Sequence, residues 1–142
     1  MRAIIFRRTH FRHSDGGFDR FTEWGPHSDG FSAPSHLSGC SHGNDLQFTG
    51  FFDKDKAVIY EDDICELEVY FAGTNPEGDG YFHVVHTGIV KYTPSNGFHL
   101  KICKSWDIDS MIALTVFPKI KDIVSYRTKV IGNIHQHKHL LK

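Results

Sequence analysis

A chain of 142 residues with 39% hydrophobic and 23% charged residues can bury a modest core and is too apolar to remain disordered. Its formal net charge of −1, with the histidines neutral, gives no global attraction to nucleic acid or an anionic membrane, so such binding would need a local patch. No apolar run approaches the roughly 20 residues that span a bilayer, and the basic start MRAIIFRRTHF lacks a secretion signal's apolar region and cleavage site. These features place the chain in a cytoplasm, with no membrane partner.

In chain order, residues 2–8 are extended, with Ile4 and Phe6 on one face, and 18–24 form a weaker strand candidate. Residues 25–44, GPHSDGFSAPSHLSGCSHGN, are rich in Gly, Ser, His and Pro and read as a long loop. Residues 46–48 open the next strand. In 64–71, Cys65, Leu67, Val69 and Phe71 alternate with Glu66, Glu68 and Tyr70, the pattern of a half-buried strand. TNPEGDG (74–80) is turn chemistry. Strands at 81–92 and 98–103 flank PSNG and form a hairpin, with a bulge or bend at Gly88. Residues 107–117 fit either a short helix stopped by Pro118, with Asp107 or Asp109 as N-cap, or a strand. Residues 124–131 make a last strand ended by Gly132, and a short helical turn follows toward Leu141. The pattern predicts a mainly β fold with little helix, a small antiparallel, partly open SH3-like barrel. Cys40, Cys65 and Cys103 are far apart without a C-x-x-C pair and read as free thiols, Cys65 and Cys103 as small buried hydrophobes.

The most distinctive stretch is LQFTGFFDKDKAVIYEDDI, residues 46–64. Leu46, Gln47, Phe48, Thr49, Gly50, Asp53, Lys54, Asp55, Ile59, Tyr60, Glu61, Asp63 and Ile64 fall into the pattern M-Q-[YF]-T-G-L-x-D-K-[ND]-G-x-x-I-Y-E-G-D-I-V. Three further pieces agree in order: Ile5-Phe6-Arg7, Gly88-Ile89-Val90 with Tyr92, and Val130-Ile131-Gly132-Asn133-Ile134 with Leu140-Leu141. The chain thereby resembles the YopX family, small proteins of bacteriophages, prophages and other mobile elements. The resemblance implies one YopX-like domain over 1–142, acting in a bacterial host cell. It marks Gln47, Thr49, Gly50, Asp53, Tyr60, Glu61, Asp63, Gly132 and Asn133 as the structural motif. It assigns no activity, cofactor or catalytic residue. Lys56 and Asp62 stand where the family pattern has glycine, at positions suited to a positive φ or a tight turn.

Read as chemistry, the acids 61–63 are a turn device that launches the strand at Ile64, one carboxylate accepting backbone N–H bonds as an Asx-turn does. A cation held by Glu61, Asp62 and Asp63 is the sharper alternative. Consecutive acids in extended chain point in alternate directions, and the ligand spacing of a calcium loop is missing. Among the eleven histidines, His135, His137 and His139 form H-x-H-x-H. On a strand these could share a face and bind zinc or nickel; on a helix only His135 and His139 would. Arg7, Arg8, Phe11 and Arg12 interleave rings with charge, as single-strand binders do. No nucleophile–base pair, phosphate loop or closed ligand set is visible, so no enzyme and no cofactor are expected. The reading is a non-enzymatic accessory protein that binds a host or phage protein and self-associates. The alternative is a nucleic-acid-binding small β-barrel.

Overall fold

The computed structural model describes residues 5–27, 30–32, 38–75 and 78–142. Eleven strands follow in order: β1 (Phe6–Arg12), β2 (Phe18–His27), β3 (Gly30–Ser32), β4 (Cys40–Phe52), β5 (Val58–Tyr60), β6 (Asp63–Asn75), β7 (Gly78–Thr93), β8 (Gly97–Asp107), β9 (Ile112–Ala113), β10 (Ile120–Asp122) and β11 (Thr128–Asn133). Among the described residues the helical content is two 3₁₀ turns, Ser125–Arg127 and Lys138–Leu141. One sheet has the order β3-β2-β1-β4-β5; the other has β10-β8-β7-β6-β11, with β9 also on β8. Every pairing is antiparallel, and the architecture curls into a half-barrel. The mainly β expectation holds. Among the described residues no helix is long and apolar enough to cross a membrane.

The β6–β7–β8 meander follows the alternation in the sequence. β7 and β8 close at Thr93–Gly97, and their register shifts between Thr87 and Gly88, where a bulge was expected. Ile59, Cys65, Leu67, Val90, Leu100, Ile102 and Ile123 form the buried cluster. Burial pushes the Cys65 thiol up, whereas Cys103 is only half-buried.

Three expectations need correction. The polar stretch 25–44 is not one loop. β2 runs to His27, β3 occupies 30–32 and β4 starts at Cys40; 28–29 and 33–37 lie outside the described residues. β4 is a strand there because it pairs with β1, with Arg8 opposite Asp45 and Arg12 opposite Cys40, rather than because it alternates. Its composition has a local cause: a Cβ at Gly43 would collide with the Thr9 hydroxyl and the Phe11 ring. Second, 107–117 is neither a helix nor one strand. The Asp107 carboxylate accepts the Asp109 N–H at 2.9 Å, Met111 adopts φ +57°, and β9 folds back onto Trp106 and Asp107. Third, the strand expected over 124–131 begins only at Thr128. The 3₁₀ turn before it lies where the chain passes from β10, on one edge of the sheet, to β11 on the other.

Candidate functional site

The segment from β4 to the start of β6 ties the two sheets together. Its backbone bonds outward in three places: Lys54 N–H to the Thr128 carbonyl (2.8 Å), Asp62 N–H to Val90 (3.0 Å), and Ile134 N–H back to the Asp62 carbonyl (3.0 Å). Buried Thr49 donates to the Ile59 carbonyl at 2.8 Å and accepts the Phe51 N–H at 3.1 Å. Gly50 beside it takes φ +86° in the irregular part of the β4–β5 pairing, so β4 bends at Thr49-Gly50 and continues to Phe52. Asp53 is buried and accepts three backbone N–H groups, from Asp55 (2.9 Å), Ala57 (2.8 Å) and, across the junction, Val130 (3.0 Å). Burial alone would raise its pKa; the three donors outweigh that and hold the carboxyl below its usual range. Lys56 and Asp62 sit at φ +67° and +66°, the conformation their glycine-like positions suggested.

The three acids face different partners. Glu61 accepts the Gln47 N–H at 3.1 Å and returns its own N–H to the Gln47 carbonyl at 3.0 Å. Asp62 takes the Lys91 ammonium at 2.9 Å and lies 3.4 Å from His135 Nε2. Asp63 accepts the Tyr60 N–H at 2.8 Å, three residues back rather than two residues on, so the turn bond runs opposite to an Asx-turn. Its other oxygen meets the Arg7 guanidinium at 2.5 Å. Burial pushes the Asp63 carboxyl up, against the pull of Arg7 and the Tyr60 N–H. Tyr60 donates to Glu23 at 3.3 Å, and burial together with Glu23 raises its pKa to about 12. Among the described residues no group of three or more His, Cys, Asp or Glu side chains is arranged to hold a metal ion.

Arg7, grouped on sequence with a basic surface, is instead buried, its guanidinium 4.1 Å from the Phe21 ring centre and 4.6 Å from that of Tyr60. Arg8 grips Asp45 with two bonds, at 2.7 and 2.9 Å. Arg12 pairs with Asp15 and donates to the Phe18 carbonyl at 2.8 Å. Phe11 packs edge-on to Phe18 and to His135. The three C-terminal histidines do not share a face. His135 stacks on Phe18 at 5.7 Å, and burial lowers its pKa despite Asp62. His137 Nδ1 accepts the Asn133 N–H at 3.2 Å. His139 lies 6.1 Å from the His137 ring. Asn133 builds this turn by accepting the His135 and Gln136 N–H groups, each at 3.0 Å.

The residues shared with the family pattern thus hold one another. The YopX family profile matches residues 33–142. The chain belongs to the YopX family. The match covers β4 through the C-terminal turn and leaves out the 32 residues before it, which carry β1, β2, β3 and the Ile5-Phe6-Arg7 likeness. Comparison with curated proteins returns no match. In this YopX chain the motif is the joint between the sheets; from the unmatched segment, buried Arg7 pairs with Asp63 and exposed Glu23 accepts the Tyr60 hydroxyl.

Sequence reading missed a surface feature. Met111, Ile112 and Val116 are 78%, 62% and 87% exposed. Val116 also lines an apolar pocket of about 220 Å³ with Val69, Val84, His86, Leu114 and Phe117, among others. The apolar run was visible, but either a helix or a strand would have turned one face inward. The short β9 return leaves the run outside.

Proposed function

We propose that this YopX protein is a non-enzymatic accessory protein of a phage or mobile element, and that it acts by docking a host or phage protein. The observation that supports this reading is the exposed apolar run at 111–116 beside a ready-made apolar pocket. Protein interfaces pair apolar anchors with pockets in this way, and contiguous exposed apolar surface is uncommon without a use. The buried motif acids serve as scaffold: their partners are backbone and neighbouring side chains. The test is affinity capture from nuclease-treated host lysate with the wild type, Val116→Asp and Ile112→Asp. A defined protein retained by the wild type and lost by both variants, with unchanged thermal midpoints, supports docking. Equal capture by all three contradicts it. Sedimentation of the same variants reads self-association. A second reading, nucleic-acid binding, is favoured by one arginine set beside exposed rings on the adjoining surface, whose pocket shares Val69 and Lys121 with the apolar one.

A further inference from the structure

The described arginines differ in one respect. Arg7, Arg8, Arg12 and Arg20 each hold an aspartate: Asp63, Asp45, Asp15 and Asp19. Arg127 has no carboxylate partner among the described residues. Its guanidinium carbon instead lies 5.3 Å from the Tyr126 ring centre and 5.8 Å from that of Tyr70. Both rings face solvent, with Tyr126 72% and Tyr70 51% exposed. The Tyr70 ring is fixed from beneath, stacked on its cross-strand partner His83 at 4.1 Å and 19°. The nearby acid Glu68 lies 3.6 Å from the Lys54 ammonium and 3.6 Å from His83 Nε2, the latter an ion pair only when the imidazole is protonated. A pocket of about 280 Å³ is lined by Tyr126 and Arg127, with Lys121 as a second cation and with the acids Glu68 and Asp122.

A cation outside ion-pair distance of the described carboxylates, set between two exposed aromatic rings, offers a site for an anion that carries flat faces. Nucleotides in a single strand have both: bases to stack on the tyrosines and phosphates for Arg127 and Lys121. In a duplex the base faces are already stacked on one another, so these rings would have little to grip. We propose that the Tyr70–Tyr126–Arg127 face binds single-stranded nucleic acid. This rests on the second reading above and gives it a site away from Arg8, Phe11 and Arg12, which are engaged within the first sheet.

Fluorescence anisotropy with labelled oligothymidylate and oligouridylate of about 12 nucleotides, and a duplex of equal length, tests it. The wild type binds both single strands and prefers them to the duplex. Tyr126→Ala and Tyr70→Ala each weaken binding about tenfold, and Tyr126→Phe retains it. Arg127→Ala weakens binding and lowers the salt slope by about one between roughly 50 and 200 mM. Tyr92→Ala, at another exposed tyrosine (54%), has no effect. Thermal melts confirm that the alanine variants fold. No binding by the wild type would overturn this proposal and the second reading together. Binding untouched by Tyr70→Ala and Tyr126→Ala would overturn the site and leave that reading standing. Equal affinity for the duplex would overturn the stacking. Retention of a nuclease-resistant protein partner that Arg127→Ala abolishes, without oligonucleotide binding, would make this face a protein interface instead.

Discussion

The pair Arg7–Asp63 gives the sharpest stability prediction, because the partners lie 56 positions apart in sequence and are both withdrawn from water. The side chains are 11% and 3% exposed. Asp63→Asn keeps an acceptor for the Tyr60 N–H but leaves the guanidinium without a counter-charge. Breaking a buried pair from one side costs about 3–5 kcal/mol. Arg7 retains a 3.3 Å bond to the Glu61 carbonyl and its two ring contacts, which favours the low end, about 3 kcal/mol. Asp63→Ala also strips the Tyr60 N–H of its acceptor and adds about 1 kcal/mol. Replacing both partners, as in Arg7→Met with Asp63→Asn, removes the buried charge and should stay within about 2 kcal/mol of the wild type. Urea titrations of the four proteins give the double-mutant cycle, and a coupling of about 2 kcal/mol or more is expected. An Asp63→Asn cost below about 0.5 kcal/mol, or additive single effects, would refute the buried pair.

Further outcomes follow from the same geometry. Asp53→Ala removes the acceptor of three backbone N–H groups and should cost about 2–4 kcal/mol in a denaturant titration, with Asp53→Asn milder. Gly132→Ala places a Cβ 2.7 Å from the His137 ring and should cost about 1–3 kcal/mol, since that ring must leave the Asn133 N–H. Burial lowers the pKa of His10, His86 and His135. The unfolded chain therefore takes up protons first as pH falls through about 6.5, and stability is lost from there downward, between about pH 7 and 5. A melting series that is flat over this range would contradict that assignment. A chelator should move the thermal midpoint by less than about 5 °C.

The hairpin was legible because Asn-Gly and the alternation around it are local signals. So was the unusual backbone at Lys56 and Asp62, since the family pattern puts glycine there. What stayed hidden depends on long-range pairing. β4 begins in a polar stretch that lacks apolar alternation, and only β1 beside it makes it a strand. Arg7 read as a surface cation because nothing near it in sequence reveals Asp63 or the rings of Phe21 and Tyr60. The histidine motif suggested a shared face, but the Asn133 turn sends His135 toward Phe18 and His137 toward its own backbone. Tyr126 and Arg127 would point to opposite faces of the strand expected over 124–131. The 3₁₀ turn brings the Arg127 guanidinium against the Tyr126 ring.

The central structural claim is that the 46–64 motif joins the two sheets, and native-state hydrogen exchange tests it most directly. The amides of Lys54, Tyr60, Asp62, Val130 and Ile134 carry the joint. They should exchange only through global opening, with the same free energy as the β6–β7 amides of the core. Rapid exchange at these five positions while β6 and β7 stay protected would show that the sheets separate freely, and would contradict the account.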